Sequence, residues 1–186
     1  MSTARWARKR STRVGDHGVF EVWQHHYERD GRPTARPLHT LQTVDWCNVV
    51  PITTDDRIVL VRLHRFGTDS PSIEIPGGLV DAGESPMIAA GRELTEETGY
   101  HAGQLISLGA VFANPALQPT RLHMHLARGC TPHPSGQSLD DLEDCEPMLV
   151  TRSELERLLD DGEITHALVW ATLFAWKRYE AGVWTC

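Results

Sequence analysis

Short runs of β-branched and other apolar residues alternate with turn residues along most of the chain, and this pattern predicts a fold rich in strands. The predicted strands are bounded by Gly, Pro, Asn or Asp, as strands usually are. They cover residues 20–27, 38–44, 46–53, 57–63, 73–75, 105–112, 122–127 and 145–150. The turn-rich, acidic stretch 129–144 interrupts this series and predicts a loop.

Three other segments show the apolar spacing of amphipathic helices. The first covers residues 86–98, with Ser85 as N-cap, Pro86 in the first turn and Gly99 as the stop. Its predicted inward stripe is Met87, Ala90, Gly91, Leu94 and Thr98. A capping box at 153–156 opens a second helix to about residue 159. The last helix runs from residue 164 or 165 to about 180, with an apolar face of Ala167, Leu168, Ala171, Phe174 and Ala175.

The order of these elements predicts an α+β fold. Strands, one internal helix, more strands and two closing helices are typical of an α/β/α sandwich on a mixed sheet. Residues 1–43 stand apart, because the turn signal Asp30-Gly31 between two predicted strands indicates a β-hairpin. We predict an N-terminal extension at 1–43 and a main domain at 44–186. A lone hairpin is marginal in water, so we expect it to pack on the main domain or on another subunit, as a dimer contact.

Composition narrows the class of protein. The 186 residues, 40% of them apolar, suit one domain with an appendage. We expect a cytoplasmic protein with no membrane partner, since no apolar run reaches the ~20 residues of a bilayer span and no secretory signal is evident. The four cysteines lack Cys-x-x-Cys spacing, which favours reduced thiols. The net charge of -7 argues against a nucleic-acid partner.

The most informative chemical signal is a cluster of three glutamates at the end of the first predicted helix. Glu93, Glu96 and Glu97 are spaced i, i+3 and i+4, so their carboxylates crowd one face. Like charges at this spacing cost roughly 0.2–0.5 kcal/mol per pair, and the helix dipole disfavours anions at this end. A cluster that local energetics disfavour suggests a bound hard cation such as Mg²⁺. The alternative is a solvated acidic helix face.

These glutamates belong to a longer motif with fixed spacing. Residues 78–100 match the pattern G-x5-E-x7-R-E-U-x-E-E-x-G-U, where U is a bulky apolar residue. The matching residues are Gly78, Glu84, Arg92, Glu93, Leu94, Glu96, Glu97, Gly99 and Tyr100, the last standing where an aliphatic residue is usual. The chain therefore resembles the Nudix hydrolases. That resemblance implies a Nudix-type α/β/α sandwich and hydrolysis of a nucleoside diphosphate linked to another group, with Mg²⁺ or Mn²⁺.

The resemblance extends to the ADP-ribose pyrophosphatase branch of that family. The approach 74–78, the ending 161–167 and Pro115, sixteen residues beyond Gly99, are all similar. No acidic residue follows Pro115 closely, although this branch often has one there. The resemblance implies a small-molecule nucleotide substrate, namely ADP-ribose or a related nucleotide sugar, and a homodimer. The alternatives are NADH, a coenzyme A derivative or a nucleoside triphosphate as substrate, or a nucleotide sensor without catalysis.

The resemblance also implies roles for the residues of the box. Glu93 and Glu97 would bind the metal, with Glu96 as a third ligand and the backbone carbonyl of Gly77 completing the site. Glu84 and Arg92 would pair and orient the carboxylates, a task that suits a bidentate contact.

Three further roles have several candidates. The general base is expected in the acidic loop, at Glu143 and next at Asp141, with Glu96 as the alternative inside the box. A substrate phosphate is expected to contact Arg65, with Arg62 in reserve, and an adenine ring to stack on Phe20, Trp23 or Trp46. His123 and His125 face the same side of a predicted strand, where a structural role is favoured over metal binding.

Overall fold

The computed structural model describes residues 5–140 and 144–183. The strands are β1 Trp6–Asp16, β2 Glu21–Arg29, β3 Arg32–Pro33, β4 Leu38–Gln42, β5 Trp46–Thr53, β6 Ile58–Arg65, β7 Ser70–Glu74, β8 Gly77–Leu79, β9 Tyr100–His101, β10 Gln104–Phe112, β11 Arg121–Pro132 and β12 Glu146–Val150. The helices are α1 Pro86–Thr98, α2 Arg152–Asp160 and α3 Ala167–Glu180. This is the mixed α+β fold that the sequence predicts.

The chain divides into two compact units. The N-terminal unit comprises Met1–Val44 and Phe112–Arg121, and the main unit comprises Asp45–Val111 and Leu122–Cys186. The sequence prediction divided the chain between residues 43 and 44 and did not place residues 112–121 in the N-terminal unit.

The N-terminal unit contains a four-stranded sheet rather than a simple hairpin. Strand β2 pairs antiparallel with β1, β3 and β4. The predicted turn is present, with positive φ at Asp30 and Gly31. Strand β1 was not predicted because its sequence, rich in Arg and Lys, is largely exposed and lacks apolar alternation. Its backbone hydrogen bonds to β2 make it a strand, although its side chains follow no strand pattern.

The main unit is organised around a mixed sheet. Its strand order is β10-β11-β5-β6-β12, with β7 paired to β6, β8 to β5 and β9 to β11. Strands β11 and β5 run parallel, whereas β5, β6 and β12 are successively antiparallel. Strand β11 continues to Pro132 and pairs there with β9. The loop prediction was therefore wrong for residues 129–132.

Strand β5 has a core on each of its faces. Cys47 and Val49 belong to a cluster with α1 residues such as Leu94. Val50 and Ile52, which alternate with them, belong to the larger cluster formed with α2 and α3. This alternation follows from the two-residue period of a strand and yields a sheet with helices on both faces.

The closing helices begin and pack differently from the sequence prediction. The capping box of α2 is Thr151 with Glu154, not the predicted box at 153–156. In α3 the buried face carries Val169, Leu173 and Trp176, and Phe174 is 61% exposed. The predicted stripe was rotated because α3 carries apolar residues around much of its circumference.

Within the described ranges, no helix has the length and apolar character to cross a bilayer.

Helix α1 has the predicted bounds and caps, and Ala90, Leu94 and Thr98 of its predicted inward face are buried. The Ser85 hydroxyl accepts a hydrogen bond from the Ile88 N–H, and Gly99 ends the helix at φ 69°. Met87 is 40% exposed, whereas Glu93 and Glu97 are only 7% and 6% exposed. The predicted stripe was therefore wrong at Met87, and two carboxylates point inward instead.

The segment 133–138 closes the C-terminal end of α1. The backbone N–H of His133 donates to the Gly99 carbonyl at 2.7 Å, and that of Ser138 donates to the Glu96 carbonyl at 3.0 Å. These bonds satisfy carbonyls that a helix leaves unpaired at its end. A Cβ atom at Gly99 would lie 2.9 Å from the backbone nitrogen of Gln137. Gly99 is thus required both for its positive φ and for the close approach of this segment.

The two requirements at Gly99 can be separated by a matched pair of substitutions. Gly136 also has positive φ, at 68°, but a Cβ atom there would meet nothing within 4 Å. Gly136→Ala is expected to cost about 1–2 kcal/mol for the left-handed backbone. Gly99→Ala should cost roughly 1–3 kcal/mol more because of overlap with residues 136–137. Urea unfolding of both variants measures the difference, and equal losses would contradict the close packing of this segment.

Candidate active site

The acidic face of α1 lies against the backbone of β8. The Gly77 N–H donates a 2.9 Å hydrogen bond to Glu97 Oε2. A Cβ atom at Gly78 would overlap the carboxylate of Glu93. The missing side chain at Gly78 leaves the room that the Glu93 carboxylate occupies, and the Gly77 N–H pairs with Glu97. These two contacts explain why both carboxylates can point inward.

Arg92 is the centre of a hydrogen-bond network that joins the loop before α1 to the helix. Its Nε and Nη2 donate to the two carboxylate oxygens of Glu84 at 3.1 and 3.0 Å. Its Nη1 donates to Glu93 and Glu96, both at 2.9 Å, and Nη2 also donates to the Leu79 carbonyl. The bonds to Glu84 and its neighbours raise the pKa of Arg92, and the bond from Arg92 lowers the pKa of Glu84. The contact expected between Arg92 and Glu84 is present.

A second network surrounds Glu97 and involves a residue that the sequence did not single out. The side-chain amide of Gln137 donates to the backbone carbonyls of Glu97 at 2.5 Å and Cys145 at 2.6 Å. The Cys145 thiol lies 3.7 Å from Glu97 Oε1. Gln137 therefore links Cys145 to the helix that carries the carboxylates, so residues 137 and 145 are both held against α1. Nothing in the sequence around Gln137 marks this role, because its partners are backbone groups distant along the chain.

The donor set of α1 fits a hard divalent cation. The box segment 84–97 carries four glutamates and one arginine, which leaves three formal negative charges. Buried carboxylates need compensating charge, and carboxylate oxygens are ligands that Mg²⁺ takes. Across residues 5–140 and 144–183, no three His, Cys, Asp or Glu side chains are gathered closely enough to hold a metal. Arg92 holds Glu93 and Glu96 instead, so the ligand set of Glu93, Glu96, Glu97 and the Gly77 carbonyl stays a prediction.

A cavity of about 310 Å³ adjoins β8 in the main unit. Its lining combines apolar and polar side chains with the backbone of the box glycines. The lining residues are Trp46, Asn48, Arg65, Gly77, Gly78, Leu79, His166 and Leu168. The structure thus brings two residues predicted to bind substrate, Arg65 and Trp46, into one cavity beside the acidic face of α1.

Arg65 is engaged by a buried carboxylate at the edge of this cavity. Its Nε and Nη2 each donate a 2.8 Å hydrogen bond to Glu74, whose side chain is only 2% exposed. His166 Nδ1 lies 2.9 Å from Glu74 Oε2. Burial alone would raise the pKa of Glu74, but the contacts with Arg65 and His166 outweigh it and hold the pKa well below its ordinary value of 4.5.

The remaining sequence candidates lie elsewhere. Phe20 is in the N-terminal unit, where its ring centroid is 5.2 Å from that of His17. Arg62 Nη1 lies 4.0 Å from Glu146 Oε2, and Trp23 Nε1 donates to Glu21. Glu143 and Asp141, the first and second choices for the general base, lie outside the described residues.

The two strand histidines have separate surroundings. His123 Nε2 lies 2.8 Å from Asp45 Oδ2. His125 is 3% exposed, and burial lowers its pKa. Neither histidine belongs to a cluster suited to a metal within the part of the chain that the structure describes, and their structural role stays a prediction.

Comparison with known proteins gives a consistent picture. A family model described as NUDIX domain matches residues 44–171. An ADP-ribose pyrophosphatase of Bacillus subtilis (strain 168) is 32% identical over 119 residues, 64% of this chain and 64% of that protein. The ADP compounds hydrolase NudE of Escherichia coli (strain K12) is 31% identical over 137 residues, 72% of this chain and 70% of that protein. The chain thus spans just under two thirds of the Bacillus subtilis protein.

The fold also matches a solved structure over nearly its whole length. The crystal structure of an ADP compounds hydrolase superposes with a TM-score of 0.85 at 25% sequence identity. The match covers 98% of this chain and 97% of the other chain, so it includes the N-terminal residues beyond the family model.

The buried Glu74 predicts an acid-sensitive stability. Because its pKa is lower in the folded than in the unfolded chain, its contribution is full above the unfolded value and is lost as pH falls toward the folded value. Glu74→Gln is expected to lower the free energy of unfolding at neutral pH and to reduce its further loss below about pH 4.5, the ordinary pKa of this carboxyl. Urea unfolding across this range measures it, with exposed Glu163→Gln as the control. Parallel curves for Glu74→Gln and the parent protein would contradict the assignment.

Proposed function

Because this chain belongs to the NUDIX domain family, it is a Nudix hydrolase, and we propose that it is a Mg²⁺-dependent pyrophosphohydrolase of ADP-ribose or a related nucleotide sugar. The products would be a nucleoside monophosphate and a sugar phosphate. The names of its relatives support this substrate class, since they include an ADP-ribose pyrophosphatase and an ADP compounds hydrolase.

The observation that carries the proposal is the inward position of Glu93 and Glu97. They are nearly buried against β8, and the two glycines of β8 also line the adjoining cavity. Buried carboxylates beside a substrate-sized cavity are suited to a reaction in which a cation and an anionic diphosphate meet. A solvated acidic face would not require the burial of two of its three glutamates.

The metal would be held by Glu93 and Glu97, with Glu96 and the Gly77 carbonyl as further ligands. When bound, Mg²⁺ or Mn²⁺ neutralises charge on phosphate oxygens and lowers the pKa of a water molecule. Arg92, anchored by Glu84, sets the positions of Glu93 and Glu96 through hydrogen bonds to both. Arg92 and Glu84 therefore act by positioning in this proposal.

The remaining roles follow the sequence hypothesis. Glu143 would accept a proton from the attacking water, with Asp141 and then Glu96 as alternatives. Arg65 and Trp46 would contact the substrate from the walls of the cavity that they share.

We propose that residues 1–43 are an N-terminal extension that contributes a homodimer contact. Trp6, Val14 and Val19 of this extension are 54%, 53% and 70% exposed, respectively, so these apolar side chains are available for such a contact. Phe20 of this extension would stack on the base of the substrate. Sedimentation at the mass of a single chain would contradict the dimer.

The activity itself is tested by a substrate panel. Purified protein is incubated with ADP-ribose, ADP-glucose, NADH and ATP, with and without Mg²⁺, and phosphorus NMR identifies the bond that breaks. We expect Mg²⁺-dependent release of AMP from ADP-ribose or ADP-glucose. Turnover of only NADH or ATP would assign the protein to that substrate class instead, and absence of turnover across the panel would favour a nucleotide sensor.

The role of Glu97 is tested by an isosteric change. Glu97→Gln removes the negative charge but keeps the size of the side chain, so turnover should fall by about two orders of magnitude or more with little loss of structure. The measurement is kcat with ADP-ribose, together with circular dichroism to check folding. Glu163→Gln serves as the control. A near-normal rate for Glu97→Gln would exclude it as a metal ligand.

The general base is tested separately. Glu143→Gln should lower kcat while leaving the Mg²⁺ concentration for half-maximal rate nearly unchanged, because a base acts on water rather than holding the metal. Asp141→Asn is the matched variant in the same segment. An unchanged kcat for Glu143→Gln together with a lowered kcat for Asp141→Asn would transfer the role to Asp141.

A further inference from the structure

We infer that the cavity beside β8 holds the sugar part of the substrate and that the side-chain amide of Asn48 donates a hydrogen bond to a sugar hydroxyl. The inference rests on the proposed function and names the part of the substrate that this cavity takes. Neither the box motif nor the sequence candidates included Asn48.

The first observation is a buried donor with no partner. Asn48 is 8% exposed and lines the cavity from β5, where it pairs with Gly77. Its Nδ2 is buried and has no hydrogen-bond partner among the residues that the structure describes. Buried polar groups in folded proteins are nearly always paired, so this donor calls for an oxygen acceptor bound in the cavity.

The second observation is the charge balance of the cavity wall. Arg65 brings a positive charge to the lining, but both carboxylate oxygens of Glu74 already accept hydrogen bonds from it. His166 also contacts Glu74. The charge of Arg65 is therefore offset by a buried carboxylate, and the wall suits a neutral, hydroxyl-rich group better than a second phosphate.

The third observation is the apolar part of the wall. Trp46, Leu79 and Leu168 line the same cavity as Asn48. An aromatic ring presents a flat apolar surface, which suits the C–H face of a sugar ring. The volume of about 310 Å³ lies at the lower end of ligand pockets, about 300–1,000 Å³, so one part of the substrate fills it.

The location of the cavity links the sugar to the site of cleavage. Gly77 lines the cavity and also donates its N–H to Glu97. Gly78 lines the cavity and leaves room for Glu93. A sugar in the cavity is thus separated from the acidic face of α1 only by glycine backbone, and the phosphate joined to that sugar lies near those carboxylates.

The experiment pairs substitutions in the protein with deletions in the substrate. Asn48→Ala removes the amide, and Asn48→Asp keeps its shape but replaces the donor with an acceptor. The substrates are ADP-glucose and analogues that each lack one sugar hydroxyl. Gln104→Ala, which removes an exposed amide from β10, is the control, and circular dichroism checks the folding of each variant.

We expect kcat/KM of the parent protein to fall at least about tenfold for one deoxy analogue, since a lost hydrogen bond leaves the buried amide unpaired. Asn48→Ala and Asn48→Asp should lose a similar factor with intact ADP-glucose and should no longer distinguish that analogue from it. The test for coupling is that the two losses do not add. If each deoxy analogue lowers kcat/KM by the same factor in the parent protein and in the variants, Asn48 does not contact a sugar hydroxyl and the inference fails.

A binding measurement without metal separates this inference from the proposed function. Isothermal titration calorimetry in EDTA measures the affinity for glucose 1-phosphate, ribose 5-phosphate and AMP. Asn48→Ala should weaken the binding of at least one sugar phosphate about tenfold and leave the affinity for AMP unchanged. Gln104→Ala should change none of these affinities. Weakened AMP binding with unchanged sugar phosphate binding would assign the cavity to the nucleoside and overturn the inference. Asn48-dependent sugar phosphate binding without hydrolysis of any nucleotide sugar would support it and refute only the proposed activity.

Discussion

The guanidinium of Arg92 is the interaction on which the candidate site depends. It sits among three carboxylates that would otherwise repel one another, and its two bonds to Glu84 fix the preceding loop to α1. The dipole of α1 disfavours acidic residues near its C-terminal end. The helix keeps them there because the Arg92 guanidinium, the Gly77 N–H and the segment 133–138 all contact its last turns. Local helix energetics and site chemistry oppose each other here, and contacts from other elements resolve the opposition.

The features that the sequence could reveal are those encoded by neighbouring residues. Helix α1 was predicted to its end residues because Ser85, Pro86 and Gly99 act locally on the backbone. Most strands of the main unit were located because their apolar runs end at turn residues. The burial of Glu93 and Glu97 was not foreseen, since it depends on strand β8, where Gly78 leaves room for Glu93 and the Gly77 N–H donates to Glu97. A helical stripe drawn from apolar residues alone placed Met87 inside instead.

Other features had no local signal. Strand β1 is polar and exposed, so only its pairing with β2 reveals it. Gln137 acts through backbone carbonyls of Glu97 and Cys145, and Asn48 matters because its amide is buried without a described partner. His166 was singled out only as part of a family-like ending, yet its Nδ1 lies 2.9 Å from the Glu74 Oε2 that also accepts a hydrogen bond from Arg65. A single polar residue has many possible environments, and only the tertiary structure selects one.

The bridge made by the Gln137 amide has an evolutionary consequence. Because the side chain of Gln137 joins the carbonyl of Glu97 in α1 to the carbonyl of Cys145, residues 137 and 145 are both held at the same turn of the helix. Exchanges between these two residues that spare the proposed base can then accumulate without displacing the carboxylates. Such an arrangement lets the sequence of one segment drift, while purifying selection acts on the anchoring amide and its helix.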